Sequence, residues 1–407
     1  MTLLILHRNP LEPFPYDRWL ADFDGDVVIL AARDKFESFA EEIPTTNLGY
    51  AHFETMDFRD DALVLKRALE LAAEFDTKYV IGHHEGDVDN AARVREERGL
   101  PGPWTADVYP FRDKALMKKL VQKAGVEVAP HTVPQSPDDV REFAWEHGFP
   151  LVFKDRAGFN AIGLRILRDQ AELDAYLEEP LGDVLLEAFV PGKMCHVDGL
   201  VVDGETVLSW PSQYQYDLAS FGSDPGARVD VTLDPDDPLT DRLIALTDKT
   251  LAALRTPGLQ SHGFHAEIFH TPDDRLVLCE IASRPAGAKV REVFKTLFDV
   301  NLAEYATRLQ VGLPIPEIDR TPKRMSGQVL MMKRPGLISE VPQTPEDTWV
   351  EYFWLYGKPG QVVPPAGGSS DFLVAAVASA PTRAVCERRL RELGARFVAQ
   401  TKIGEAP

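Results

Sequence analysis

The segment PLVFKDRAGFNAIGLRIL, residues 150–167, places a lysine between a short apolar run and a glycine-bounded loop. Leu151–Phe153 is typical of a buried strand, and Lys154 follows at its end. An unpaired buried charge is costly, so such a lysine needs an anion or a route to water. The loop Gly158–Gly163 could direct backbone N–H groups at phosphate oxygens. The pairing therefore predicts a triphosphate held between the lysine and the loop.

The same segment also fits a simpler interpretation, in which Lys154 reaches solvent from a strand end and an ordinary hairpin loop follows. It is not a P-loop, because Gly163 is followed by Leu164 rather than by Lys and Ser or Thr. Taken alone, the segment favours the simpler interpretation, and other parts of the chain must decide.

A second hairpin, GFHAEIFH and RLVLCEI at residues 263–270 and 275–281, carries two glutamates among apolar neighbours. Glu267 and Glu280 are nearly equidistant from Asp273 in the turn, so an antiparallel pair would place them opposite each other. Opposed carboxylates repel unless a cation lies between them, and Mg²⁺ bound to nucleotide phosphates fits that position. Two alternatives to a metal site remain: one or both glutamates could face solvent, or the pair could act in general acid–base catalysis.

Arg284 follows Glu280 in the sequence CEIASRPAG, residues 279–287. A guanidinium group beside a metal–phosphate site could bind a phosphate or a carboxylate through two hydrogen bonds. The alternative is a surface arginine before a proline turn.

Composition narrows the class of protein. The 407 residues predict two or three domains. Lys and Arg number 44 against 64 Asp and Glu, which gives a net charge of −20 and argues against a nucleic-acid partner. The most basic run, residues 114–123, is interpreted as the charged face of an amphipathic helix. Three scattered cysteines and no signal-peptide or membrane-spanning pattern predict a cytoplasmic protein with no membrane partner.

Strand and helix patterns alternate over residues 1–105, which predicts a doubly wound parallel sheet of the α/β class. This region lacks GxGxxG, so a dinucleotide site is not expected. Further on, a hairpin is predicted to turn at Asp203-Gly204, and residues 211–229 are predicted to form a long loop. After about residue 320 the pattern predicts strands and one late helix, residues 382–393.

Taken in order along the chain, the lysine, the glycine loop, the paired glutamates and the arginine resemble the ATP-grasp superfamily. Two further stretches support the resemblance, which covers most of the chain. GLPGPWTADVYPFRDKALMKKLVQKAGVEVAP, residues 99–130, resembles the entry into the grasp with a first phosphate lysine, and LLEAFVPG, residues 185–192, resembles the hinge that holds adenine. The resemblance implies that ATP contacts Lys114, Lys154, Gly158, Phe159, Asn160, Ala161, Gly163, Glu187, Ala188, Phe189 and Val190.

The resemblance also implies a domain organisation. Residues 1–105 would form a Rossmann-like pre-ATP-grasp domain, and residues 106–320 the two-lobe ATP-grasp domain of mixed α+β type. Within it, residues 106–190 include the small glycine-loop lobe, and residues 191–320 form the large lobe with the metal site. Residues 321–407 would be a small β-rich lobe that completes the cleft.

The implied activity is transfer of the γ-phosphoryl group of ATP to a carboxylate, followed by attack of an amine on the acyl phosphate. Lys154 and Arg284 would be the catalytic residues, and Glu267 and Glu280 would bind Mg²⁺, with Mn²⁺ as a possible substitute. GKMCHVDGLV and EIASRPAG resemble ligases that join amino acids or amino-acid-like acids. The expected partners are small-molecule carboxylates and amines, with a homodimer possible.

Six residues are candidates for substrate contact. His196 and Asp198 alternate on a strand and could face one cleft, although a structural histidine beside a solvated aspartate fits equally. The predicted loop, with Trp210, Tyr216 and Phe221, could cover the substrate or be an ordinary surface loop. Adjacent His83 and His84 cannot readily chelate one ion. The candidates are Glu85, His196, Asp198, Tyr214, Arg228 and Arg284.

Two departures from the family pattern concern the metal and the ribose. Family members often have Asn two residues after the second glutamate, where this chain has Ala282, and a ribose-binding glutamate where it has Met194. These departures leave open a non-catalytic nucleotide-binding regulator. A biotin-dependent carboxylase component and another ATP-grasp carboxylate ligase, such as one of purine assembly, are the related alternatives.

Overall fold

The structure, a computed structural model, describes residues 1–39, 41–217 and 226–405. These residues form four β-sheets. Within the described part of the chain, we find no helix with both the length and the apolar character needed to cross a bilayer.

The first sheet contains four parallel strands in the order β3-β2-β1-β4, as the alternating pattern predicts. All six residues of β1 are buried, which is typical of a parallel strand covered on both faces. The chain leaves β4 directly into the helix that begins at Glu85, so this helix start lies at the carboxyl edge of the sheet. The elements are β1 Thr2–His7, α1 Tyr16–Trp19, β2 Asp26–Ala32, α2 Arg33–Ser38, β3 His52–Met56, α3 Asp61–Glu74, β4 Thr77–Gly82 and α4 Glu85–Arg98.

A small antiparallel sheet, ordered β5-β8-β6-β7, holds the opening segment. Leu151–Phe153 is buried on β6 and Lys154 follows on the same strand, as predicted. The loop through Gly163 joins β6 to β7. The elements are α5 Thr105–Arg112, α6 Lys114–Lys123, β5 His131–Thr132, α7 Pro137–His147, β6 Leu151–Asp155, β7 Arg165–Leu167, α8 Gln170–Tyr176 and β8 Val184–Ala188.

The remaining strands build an antiparallel sheet of eight, ordered β13-β12-β9-β10-β11-β14-β18-β16, and a sheet of three, ordered β17-β15-β19. The elements are β9 Lys193–Val202, β10 Glu205–Tyr214, β11 Ala227–Thr232, α9 Pro238–Leu254, β12 His262–His270, β13 Leu276–Ala282, α10 Val290–Phe298, α11 Leu302–Gln310, β14 Met325–Met332, β15 Gly336–Glu340, β16 Val350–Leu355, β17 Val362–Val363, β18 Phe372–Ala380, α12 Arg383–Gln400 and β19 Lys402–Gly404.

The hairpin that turns at Asp203-Gly204 is confirmed, because β9 pairs with β10 across those residues. The predicted long loop at 211–229 is wrong at both ends, since β10 runs to Tyr214 and β11 begins at Ala227. Pairing with neighbouring strands overrides a composition rich in Ser, Gly and aromatic residues. Phe221 lies outside the described residues.

The eight-stranded sheet has one apolar face; the opposite face, called the polar face below, carries polar residues together with an apolar cluster that packs on α10 and α11. Alternate residues such as Val197, Ala266 and Val329 belong to apolar cores that include side chains of α6, α9 and α12. The residues between them, such as Glu267 and Gln328, project to the other face because side chains alternate along a strand. The sheet is continuous across residue 320, so the domain boundaries expected from the sequence stay predictions.

Candidate functional site

A cavity of about 720 Å³ lies between the small sheet and the polar face of the eight-stranded sheet. Most of the residues that the sequence suggested for ATP and metal line it, and Glu85, Tyr214 and Arg284 do so too. Gly163, His196, Asp198 and Arg228 are not among the lining residues. The predicted residues that line the cavity are Glu85, Lys114, Lys154, Gly158, Phe159, Asn160, Ala161, Glu187, Ala188, Phe189, Val190, Tyr214, Glu267, Glu280 and Arg284.

Lys154 does not reach solvent as a free strand-end lysine, because its Nζ lies 2.9 Å from Glu187 Oε2. The other oxygen, Glu187 Oε1, lies 3.0 Å from Lys118 Nζ. Burial opposes ionisation of Glu187, but the two ammonium groups outweigh it and lower its pKa to about 2. The Glu187 side chain thus fixes the position of Lys154, and an adenine contact at this residue would come from its backbone.

Lys118 was missed by the sequence analysis, which assigned its helix a basic solvent face. Its side chain is fully buried and also donates a hydrogen bond of 3.0 Å to the Cys279 carbonyl. The available signal was the spacing of four residues from Lys114, which places both lysines on one face of α6.

Lys114 joins the glycine loop to the paired glutamates. Its Nζ donates a 2.7 Å hydrogen bond to the Gly158 carbonyl and lies 3.4 Å from Glu280 Oε2. Within the loop, Asn160 and Ala161 have φ angles of 56° and 55°, in the left-handed region that alanine rarely adopts.

Two contacts outside the small sheet hold the loop in this conformation. The Phe159 ring lies edge-on to His84, with ring centroids 5.0 Å apart. The Ser369 backbone N–H donates a 3.4 Å hydrogen bond to the Asn160 carbonyl. The loop is therefore held against both the N-terminal and the C-terminal parts of the chain.

Glu267 and Glu280 are opposite each other in register on β12 and β13, as the sequence predicted. Burial opposes ionisation of Glu267, but the neighbouring His265 outweighs it and keeps the pKa of Glu267 below the usual value. Both carboxylates line the cavity, and oxygen donors of this type are those that Mg²⁺ prefers. The donor set therefore fits the metal that the sequence suggested.

A chain of buried polar groups runs beneath these glutamates. The ring nitrogens of His196 lie 2.5 Å from Asp198 Oδ2 and 3.0 Å from Asp230 Oδ2. His265 Nδ1 lies 2.8 Å from Asp198 Oδ1. Burial lowers the pKa of His196, but the two aspartates outweigh it and hold it well above its ordinary value. Carboxylate oxygens thus lie within hydrogen-bond distance of both nitrogens of His196.

Three of the substrate candidates are buried and do not line the cavity. His196 and Asp198 have no exposed surface, since they lie below the cavity floor in the chain of buried polar groups. Arg228 is also buried, with its guanidinium carbon 4.7 Å from the centroid of the Tyr216 ring. Tyr214 does line the cavity, and its ring stacks on His196 at 4.6 Å.

Arg284 is not a surface arginine, because its Nε donates to Glu85 Oε2 at the start of α4. Arg112, which the sequence analysis missed, donates to Glu85 Oε1 at 2.5 Å and to the Ala157 carbonyl at 2.8 Å. Burial opposes ionisation of Glu85, but Arg284 and Arg112 outweigh it and lower its pKa to about 2. Glu85 therefore fixes two arginines that line the cavity.

The adjacent residues His83 and His84 have different hydrogen-bond partners. His83 Nε2 lies 2.8 Å from Thr307 Oγ1. His84 accepts a 3.1 Å hydrogen bond from the Gly86 backbone N–H at the start of α4.

The sequence departs from the family pattern at two residues, Met194 and Ala282. Met194 lines the cavity, and Ala282 pairs in register with His265.

Known proteins share this architecture. The family model for the carbamoyl-phosphate synthase L chain, ATP binding domain, matches residues 113–197. An L-arginine-specific L-amino acid ligase of Bacillus subtilis is 23% identical over 319 residues, which are 73% of this chain and 73% of the ligase. The crystal structure of an L-amino acid ligase from Bacillus licheniformis superposes with a TM-score of 0.79 at 17% identity, covering 100% of this chain and 99% of that chain.

A solved biotin carboxylase domain has the same fold. It belongs to the 2-oxoglutarate carboxylase of Hydrogenobacter thermophilus and was solved as a dimer with MgADP, ADP and bicarbonate. Its TM-score is 0.71 at 16% identity, covering 99% of this chain and 90% of that chain. The chain therefore has the ATP-grasp fold, and residues 113–197 are similar to the ATP-binding domain of the carbamoyl-phosphate synthase L chain. Among the relatives that match most of its length are L-amino acid ligases.

Proposed function

We propose that this protein is an ATP-dependent carboxylate–amine ligase that acts on amino acids or amino-acid-like acids. The observation that carries the proposal is the position of Lys114, whose ammonium group joins the glycine loop to Glu280 at the cavity. A cation that contacts both elements is suited to the phosphates of ATP, because they would lie between the loop and the metal ligands.

The reaction would take place in two steps. A substrate carboxylate oxygen forms a bond to the γ-phosphorus as the bond from that phosphorus to the β–γ bridging oxygen breaks, giving an acyl phosphate and ADP. An amine then attacks the acyl carbon, phosphate leaves, and the amine nitrogen loses a proton. The products are an amide or peptide bond, ADP and phosphate.

The side chains of this protein would supply charge and exclude water. Lys114 and Lys154 would contact the phosphates, and Arg284 would contact the substrate carboxylate or the acyl phosphate. The loop at residues 158–163 would cover the phosphates and keep water from the acyl phosphate. Glu267 and Glu280 would hold Mg²⁺, which when bound offsets negative charge on the phosphates.

Glu85 lines the cavity and contacts both Arg112 and Arg284, which supports a role on the substrate side. We propose that it positions Arg284. A homodimer, as in the Hydrogenobacter thermophilus domain, is part of the same proposal. A carboxylase-type reaction is the second candidate, because that domain shares the fold and was solved with bicarbonate.

Product analysis tests the proposal. Purified protein is incubated with Mg-ATP and pairs of amino acids, and the nucleotides and condensed products are separated by mass. We expect ADP only with particular amino acids, together with a product that has lost one water. ADP formed with bicarbonate and no amino acid would favour the carboxylase. AMP would contradict an acyl phosphate, and tight ATP binding without turnover would favour the non-catalytic regulator.

A further inference from the structure

His265 lies in the cleft beside Glu267 and Glu280, the two proposed metal ligands. It lies two residues before Glu267 on β12 and projects to the same face of the sheet. Its partner in register across the hairpin is Ala282, just as Glu267 is the partner of Glu280. All four residues line the cavity.

The two nitrogens of His265 have different surroundings. Nδ1 lies 2.8 Å from Asp198 Oδ1, and Nε2 faces Glu267, 3.7 Å from its Oε1. Histidines that bind metals commonly donate one ring N–H to a carboxylate, which fixes the ring and directs the other nitrogen at the ion. Asp198 is itself held by His196, so the carboxylate behind His265 is fixed.

Another group of donors in the same region fits a metal less well. Atoms of His196, Asp198 and His265 lie within 4.8 Å of one another. However, both nitrogens of His196 lie within hydrogen-bond distance of carboxylates, at 2.5 Å from Asp198 and 3.0 Å from Asp230. His265 Nε2 has no carboxylate oxygen that close, since Glu267 Oε1 is 3.7 Å away. The donors that remain directed at the cavity are His265, Glu267 and Glu280.

We propose that His265 Nε2 is a third ligand to the metal ion held by Glu267 and Glu280, a claim that rests on the metal site of the proposed function. One nitrogen beside two carboxylates makes a mixed donor set. Mg²⁺ strongly prefers oxygen ligands, whereas first-row transition dications accept imidazole readily. The site therefore favours Mn²⁺ over Mg²⁺, and His265 is the cause of that preference.

Pulsed electron paramagnetic resonance of the Mn²⁺–ADP complex tests the proposal without requiring turnover. The wild-type protein is measured with natural-abundance and with ¹⁵N-labelled histidine. We expect nitrogen modulation from a directly bound imidazole that changes with the label. The modulation disappears in His265→Asn and remains in His270→Asn, a control on the same strand whose ring contacts Asp274 outside the cavity.

Titrations of the same proteins provide the second measurement. We expect His265→Asn to weaken Mn²⁺ binding by about tenfold or more while changing Mg²⁺ binding by less than about threefold. Bound Mn²⁺ without nitrogen modulation in wild-type protein, or modulation that persists in His265→Asn, overturns the proposal and leaves the carboxylate site intact. If Mn²⁺ does not bind even with ADP, the metal site of the proposed function fails as well.

Discussion

Lys118 and Lys154 hold the two oxygens of one buried carboxylate, with Nζ–oxygen distances of 3.0 Å and 2.9 Å to Glu187. Lys118 comes from α6 and Lys154 from β6, so the carboxylate on β8 joins a helix to the small sheet. The arrangement fixes Lys154 at the cavity before any ligand enters. A buried pair of this kind is costly to break from one side, because the remaining charge stays buried.

Replacing Lys118 by Met tests this relationship. We expect Lys118→Met to lower the free energy of unfolding by about 3–5 kcal/mol, since Glu187 loses one of its two partners. ATP affinity should also fall, because Lys154 is then drawn more strongly to Glu187. Urea unfolding and calorimetric titration with ATP measure the two effects. Lys119→Met, on the exposed side of the same helix, is the control and should change neither.

Replacing Lys154 by Ala removes the cation that the proposal places at the phosphates. Losing one hydrogen bond to a charged group costs about 1.5–3 kcal/mol, so ATP should bind roughly tenfold to a hundredfold more weakly. Phosphoryl transfer in a single turnover should slow as well. Arg165→Ala, an exposed cation on the neighbouring strand β7, is the control. Single-turnover rates equal to wild type would show that Lys154 does not contact the phosphates.

Replacing Glu280 by Gln removes one of the two proposed metal ligands while keeping the shape of the side chain. We expect metal-dependent turnover to fall by at least about a hundredfold and the melting temperature to change little. The residue is partly exposed at the cavity, so its loss leaves the core unchanged. Asp273→Asn in the turn of the same hairpin serves as the control. Full activity in Glu280→Gln would rule out this metal site.

The opposition of Glu267 and Glu280 could be predicted because it is local. A hairpin with a short turn sets its own register, and counting residues from Asp273 was sufficient. Lys154 and its loop could also be predicted, since an apolar run followed by a glycine-bounded segment is recognised from neighbouring residues alone. These features carried the correct assignment of the fold.

The partners of these residues could not be predicted, because they depend on contacts between distant parts of the chain. Glu85 accepts a hydrogen bond from Arg284, which is 199 positions away in the sequence, and neither local sequence indicates the other residue as its partner. His196 and Asp198 were placed on one strand face correctly, but their burial follows from β11, which brings Asp230 against them. The alternation gives the face of a strand, while packing decides how much of that face is exposed.

The pKa of Glu85 makes the folded state sensitive to acid. Its value in the folded protein is about 2, below the ordinary 4.5, because Arg284 and Arg112 outweigh burial. A carboxyl group with a lowered pKa stabilises the folded state above its unfolded pKa and loses that contribution as pH falls through the folded value. The shift corresponds to about 3 kcal/mol, fully present at pH 7 and lost progressively between about pH 5 and pH 2.

Glu85→Gln should therefore be less stable than wild type by about 3 kcal/mol at pH 7, and the difference should shrink as pH falls below about 5. The measurement is urea unfolding at a series of pH values from 3 to 8. Glu97→Gln, which is exposed on the same helix α4, is the control and should follow the wild-type curve. A constant difference between Glu85→Gln and wild type across this range would mean that Glu85 stabilises the fold through packing and not through its charge.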